Sequence, residues 1–245
     1  LYAWGFADLN ILISGEIGPD SRIQYRRTVA ERVGAITPFL MRDRQPYVVV
    51  EDGRLFWIQD AYTVTHRYPY ATRWNNRFNY IRNSVKAVVD AYNGSVDYYV
   101  FDPDDLLIRT YQAIFPGFFK SRDEMPEHLR EHIRVPLDLF TIQTQMLLQY
   151  HMEDPVVFYN KEDQWDVPVQ TSFGRSAPLR PYYIVARLPG EQEEEFLLIQ
   201  PFTPDDRHNL VGWMAARNDH ACAFPGSRFS TRSRSASAAA KSCRY

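Results

Sequence analysis

Pro46-Tyr47-Val48-Val49-Val50-Glu51-Asp52-Gly53-Arg54-Leu55-Phe56-Trp57-Ile58-Gln59 is the stretch that decides the fold class. Its valines and aromatic residues favour a pleated strand, and Asp52-Gly53 has the left-handed tolerance a type I′ turn requires. Leu55 to Ile58 is then the return strand of a hairpin. Both strands are almost continuously apolar, so burial on both faces is expected.

Working outward, a helix is predicted from about Asn83 to Tyr92, stopping at Asn93-Gly94, followed by a strand at Tyr98-Tyr99-Val100-Phe101. Upstream, Ser21-Arg22-Ile23-Gln24 has capping-box form, and Ile23, Val29, Ala30, Val33 and Ile36 make one apolar stripe that ends before Pro38. Downstream, Asp102 is placed to cap a helix carrying Leu107, Tyr111, Ile114 and Phe115. Ser121-Arg122-Asp123-Glu124 is a second capping box, and Leu139 to Tyr150 reads as a longer amphipathic helix. Residues 153–178 read as an extended, proline-punctuated connection. A second hairpin pairs Tyr182 to Val185 with Phe196 to Ile199, and a last helix is predicted from Thr203 through Met214.

The hairpins look like copies of one unit. Pro46-Tyr47 and Ile58-Gln59 in the first match Pro181-Tyr182 and Ile199-Gln200 in the second. The expected architecture is therefore mixed α/β (α+β): two ββαβ units, at about 46–101 and 181–219, with a helical insertion over 102–160. Together, 1–219 form a single region. The second unit lacks its closing strand, because Ser227 to Ser237 and the alanines beyond have few strand formers. Residues 220–245 are therefore expected to be a disordered or non-native tail.

The 245 residues, 45% hydrophobic and 24% charged, match a globular chain long enough for a sizeable core. A net charge of -2 gives no reason to expect nucleic acid as a partner, which normally needs a basic face. No apolar run approaches the roughly 20 residues of a membrane helix. The chain begins at Leu1 without a signal-like segment, which reads as a fragment or processed product. Cys222 and Cys243 are the two cysteines, so no disulfide staples residues 1–219.

Asp102, Asp104 and Asp105 could offer oxygen ligands to calcium, although acids around Pro103 also serve a helix start. His128 and His132 have metal-sharing spacing, but Leu129 stands where a metalloprotease needs Glu. No nucleophile elbow, phosphate loop, dinucleotide fingerprint or CxxC is present, which favours a non-catalytic reading, and no cofactor is expected. The richest segment is a long irregular stretch expected over residues 60–80, which holds Tyr62, His66 and the aromatic and amide residues up to Tyr80. Tyr68, Tyr70, Trp74 and Arg77 are its candidate ligand-binding residues, since flat rings beside amides and Arg suit a sugar ring or a peptide. The same rings could instead cover the domain's own core.

Longer strings carry a resemblance: Ser14-Gly15-Glu16-Ile17, Tyr25-Arg26-Arg27-Thr28-Val29, Trp57 through Thr63, Phe78 through Lys86, and Trp213-Met214-Ala215-Ala216-Arg217. With their neighbours, in order over roughly residues 8–219, they resemble an uncharacterised family of bacterial multi-pass membrane proteins, number 182 of the UPF series. The resemblance implies a parent with about seven membrane helices and a large extracytoplasmic region to which this segment corresponds. It thus implies the cell membrane as location and the parent's membrane domain as partner, with an envelope glycan or protein as a further one. It transfers no catalytic residue. The expected function is a non-catalytic extracytoplasmic module; the alternative is an envelope hydrolase or transferase acting on glycan or lipid-linked substrate.

Overall fold

A computed structural model of the chain describes residues 10–16, 18, 21, 25–188, 192–205, 207, 209–218 and, as backbone, 229–233. It confirms the mixed α+β class and replaces the repeated unit with a different one. After the short α1 (Asn10–Ile13) come α2 (Val29–Ile36) and a run of strands: β1 (Met41–Arg42), β2 (Tyr47–Glu51), β3 (Arg54–Thr65), β4 (Tyr80–Asp90) and β5 (Val96–Val100). Then follow α3 (Leu106–Ile114), β6 (Phe119–Ser121), a 3-10 turn (Arg122–Glu124), α4 (Glu127–Glu131), α5 (Leu137–Tyr150) and α6 (Pro155–Asn160). The last part holds β7 (Trp165–Asp166), the hairpin β8 (Val169–Ser172) and β9 (Arg175–Pro178), then β10 (Tyr182–Ala186), β11 (Glu195–Pro204), β12 (Gly212–Arg217) and β13 (Phe229–Ser233).

The first sheet has six strands in the order β1-β3-β4-β5-β6, with β2 also on β3; only β5 and β6 run parallel. The hairpin forms as expected, with Asp52 and Gly53 both at positive φ (47° and 73°). Its expected burial on both faces holds only in part: Val49 and Ile58 are buried, whereas Val48, Val50 and Leu55 are exposed, and full cover comes deeper in the sheet. Val85, Ala87, Val89, Tyr98 and Val100 face a core under Val33 of α2 and Ile108 of α3. Val88, Tyr99 and Phe101 face another that contains Met125, Leu129 and Ile133. Both faces of the sheet are therefore covered, as helix-flanked central strands require.

The predicted helix at 83–92 is the strand β4. Val85, Val88 and Val89 do fall at helical spacing, but every residue from Ser84 to Asp90 is buried, and burial on both faces erases the polar alternation that marks a strand. The helix predicted after Thr203 fails likewise: β11 runs to Pro204 and Trp213-Met214-Ala215-Ala216 belongs to β12. The repeat is therefore a four-stranded antiparallel meander. Tyr47 stands opposite Ile58 and Tyr182 opposite Ile199, the same register, and Gln59 and Gln200, each next in line, are fully buried. Phe229–Ser233 pairs with β12 as β5 pairs with β4. The expected tail thus supplies five residues of strand; 219–228 and 234–245 lie outside the described residues.

Smaller corrections follow the same logic. α2 starts only at Val29, where Thr28 caps it by accepting from the Glu31 N–H; residues 22–24 of the expected capping box lie outside the described residues. Asp105, not Asp102, caps α3. The Ser121–Glu124 capping box is present, and α5 lies where expected. Residues 153–178 contain a short helix and a hairpin rather than a plain connection. α5 packs on the second sheet through Phe140, beside Trp165, Leu198, Phe202 and Met214.

Gly94 was read as a helix cap and instead turns β4 into β5, but its left-handed conformation is real (φ 73°). The Arg32 Nη1 donates to its carbonyl at 2.6 Å, and a Cβ there would lie 1.4 Å from that nitrogen. Gly94→Ala is expected to cost about 1–2 kcal/mol, the penalty of a left-handed L-residue, plus the Arg32 contact. Urea unfolding of the variant and parent checks this, and equal midpoints would show that the turn relaxes freely.

Candidate functional site

Residues 60–65 of the expected irregular stretch are instead the end of β3, with Tyr62 buried in the core, and the shorter segment from His66 to Asn79 joins the two longest strands, β3 and β4, as the tip of their hairpin. It is a built loop. Asn79 holds it together: its Oδ1 accepts from the Tyr68 N–H at 3.0 Å, and its Nδ2 donates to the carbonyls of Tyr68 (2.8 Å) and Ala71 (3.0 Å). Trp74 and Phe78 form a β-bridge, with the Trp74 N–H donating to the Phe78 carbonyl at 2.7 Å. Tyr70, Asn75 and Asn76 adopt positive φ, which asparagine accepts and tyrosine adopts only when its surroundings impose it.

The fixed backbone presents its side chains outward. Tyr70 is as exposed as in an open chain (109%), and Tyr68 is half exposed while stacking on Tyr80 at 5.7 Å. Trp74 is partly buried and Arg77 is exposed. The structure therefore brings the four candidate ligand residues onto one protrusion. Phe78 is the ring that enters the core.

Tyr80 ties this tip to the acidic cluster. Its hydroxyl donates to Asp105 Oδ1 at 2.7 Å, and Asp105 Oδ2 accepts from Thr63 (2.5 Å) and Ser84 (2.6 Å). Asp105 also caps α3 through the Leu107 N–H at 3.1 Å. Burial pushes the Asp105 carboxyl up, but the hydrogen bonds from Ser84, Thr63 and Tyr80 outweigh it and hold the group below the usual carboxylate range. Burial, helped by the Asp105 hydrogen bond, pushes Tyr80 up to about 12. Asp102 is buried beside Arg82 at 3.5 Å and is raised chiefly by that burial, whereas Asp104 is exposed. The three aspartates expected to share a metal are thus separated into a capping anchor, an ion-pair partner and a surface residue. Among the described residues no group of three His, Cys, Asp or Glu could hold a metal ion.

A second polar system escaped sequence reading. Lys86 and Asp60 stand directly opposite on β4 and β3, form an ion pair and are essentially inaccessible. Next to them, buried Asp43 accepts from the Tyr62 hydroxyl at 2.5 Å and from the Asp138 N–H at 2.9 Å. Burial, then the Asp43 and Asp60 charges, push the Tyr62 hydroxyl well above its ordinary value. The only signal in the sequence was charge inside apolar runs, Asp60 after Trp57-Ile58-Gln59 and Lys86 within Val85 to Val89. Beside them the segment leading into α5 touches both sheets: Asp138 pairs with Arg44, Tyr183 donates to the Val135 carbonyl at 2.8 Å, and Asn218 accepts from the Val135 N–H at 2.7 Å. Asp60, Lys86, Asp43 and Tyr62 are structural groups, too enclosed to meet a ligand.

Residues 1–225 match the model of an uncharacterised protein family, UPF0182. A UPF0182 protein of Pelotomaculum thermopropionicum is 49% identical over 219 residues, which cover 89% of this chain and 24% of that protein. One from Synechococcus sp. (strain JA-3-3Ab) is 52% identical over 226 residues, covering 89% and 27%, and one from Moorella thermoacetica is 50% identical over 219, covering 89% and 24%. This chain thus spans about a quarter of the length of the curated relatives it matches. No solved structure matches it. With nine-tenths of its length aligned at about half identity, the chain belongs to the uncharacterised protein family UPF0182.

Proposed function

We propose that this chain is an extracytoplasmic, non-catalytic module of a bacterial multi-pass membrane protein, and that the β3–β4 tip is its contact with an envelope component or with the parent's membrane domain. One observation carries the reading: the tip holds Tyr68, Tyr70 and Arg77 exposed and Trp74 partly so, on a backbone fixed by Asn79 and above a Tyr80 held by Asp105. A pre-organised loop of exposed rings serves recognition, because little conformational entropy is lost when a partner arrives. The relatives are about four times longer, which leaves room for membrane segments outside this region. No helix among the described residues is long and apolar enough to cross a membrane.

The test is site-directed labelling of the full-length protein in cells. Tyr70→Cys, in a background with Cys222 and Cys243 replaced by Ser, is expected to react with a membrane-impermeant maleimide in intact spheroplasts. Labelling that appears only after lysis would overturn the extracytoplasmic placement.

A further inference from the structure

Between Asp60 and Asp90 the sequence holds no Asp or Glu, yet it holds His66, four arginines and Lys86. The structure sorts these cations into two groups. Lys86 is paired with Asp60, and Arg82 sits beside Asp102. Arg67, Arg73 and Arg77 are exposed, and none has an ion-pair partner among the described residues. A chain of net charge -2 thus gathers three unpaired guanidinium groups on one hairpin tip. Of the acids at the start of α3, Asp105 is spent on hydroxyl hydrogen bonds and Asp102 on Arg82, while Asp104 is exposed.

We propose that the partner of the β3–β4 tip is the anionic surface of a phospholipid membrane; this rests on the binding role given to the tip above and names its partner. Guanidinium groups match phosphate oxygens in bidentate geometry and are weakly enough hydrated to part with water at an interface. Tyrosine and tryptophan rings settle at headgroup depth, with the ring toward the chains and the polar end toward water. Tyr70, whose ring covers nothing of its own chain, sits among the three arginines in sequence and is free to do so. Tyr68, Tyr70 and the three arginines are exposed and not enclosed, which suits a flat partner better than a small molecule needing enclosure. Each arginine near an anionic leaflet is worth about a fivefold gain in partition, so the three together give about a hundredfold.

The experiment is co-sedimentation of the 245-residue chain with vesicles of phosphatidylglycerol in phosphatidylcholine, and with vesicles of phosphatidylcholine alone. Binding is expected to the anionic vesicles only, to weaken with salt, and to fall about a hundredfold in R67Q/R73Q/R77Q. That variant should keep the parent's unfolding midpoint, since none of the three arginines holds an ion pair in the described structure. A Tyr70→Trp variant should shift its emission to the blue on anionic vesicles and be quenched by brominated lipid. Equal binding to both vesicle types, or binding unchanged in the triple variant, would overturn the proposal. Arginine-dependent binding to polyglutamate or to inorganic phosphate without vesicle binding would also overturn it, while leaving the tip as a recognition site. If the variants alter binding to none of these probes nor to isolated envelope material, both the proposal and the binding role of the tip fall.

Discussion

Replacing Lys86 by Met is expected to lower stability by about 3–5 kcal/mol, a large fraction of what a domain of this size has to lose. Lys86 and Asp60 have neighbouring places in two central strands, and both are shut off from water. Removing the ammonium leaves the Asp60 carboxylate among Ile58, Val88 and Phe101 without its counter-charge, and the desolvation of that charge is what destabilises. It follows that K86M/D60L should recover most of the loss, because neither member of the pair then leaves an uncompensated charge behind. Denaturant unfolding of the parent, the single and the double variant measures this. A double variant as unstable as the single would show that the damage comes from packing and not from the orphaned charge.

The second large effect is at Asp105. Asp105→Ala is expected to cost about 3 kcal/mol: roughly 1 for the lost cap of α3 and the rest for the buried hydroxyls of Thr63 and Ser84 left without their acceptor. Acid should reveal the same group. Its folded pKa is depressed, so its contribution is complete above the unfolded value of about 3.9 and disappears as pH falls through the folded value. The parent should therefore lose stability on acidification more steeply than Asp105→Ala, as read from unfolding midpoints between neutral and acid pH. Parallel curves for the two proteins would sink the assignment. The variant also releases the Tyr80 hydroxyl, so the tip should become more susceptible to protease between Arg67 and Arg77.

Local chemistry was legible wherever one residue type solves one backbone problem. Asp52-Gly53 and Gly94 marked left-handed turns, and Ser121 with Glu124 marked a cap. Pro46-Tyr47 and Pro181-Tyr182 marked two hairpins of equal register. The aromatic weight of the tip was also visible; Tyr68 and Tyr70 are exposed there, and Trp74 is partly buried. Its charge was visible too, in the absence of acids between Asp60 and Asp90, but a net charge near zero conceals a local excess.

The periods of β4 and β12 could not be read correctly one strand at a time. A strand covered on both faces has no polar side, and Val85, Val88 and Val89, or Met214, Ala215 and Ala216, fit a helix equally well until partner strands select the extended form. Asp102, Asp104 and Asp105 were adjacent in sequence but face three different environments, because the start of α3 turns only Asp105 toward Thr63 and Ser84.

The sequence by itself determined the α+β class, the two hairpins, the Asp52-Gly53 turn and the family, since each depends on neighbours a few residues apart or on long matching strings. Tertiary structure alone decided that the repeat is a meander, that Asp60 meets Lys86, and that Asn79 and Asp105 stiffen the tip. Those facts depend on register between β3 and β4, which shifts between Ala61 and Thr63, and a one-residue slip in register moves every side chain to the opposite face.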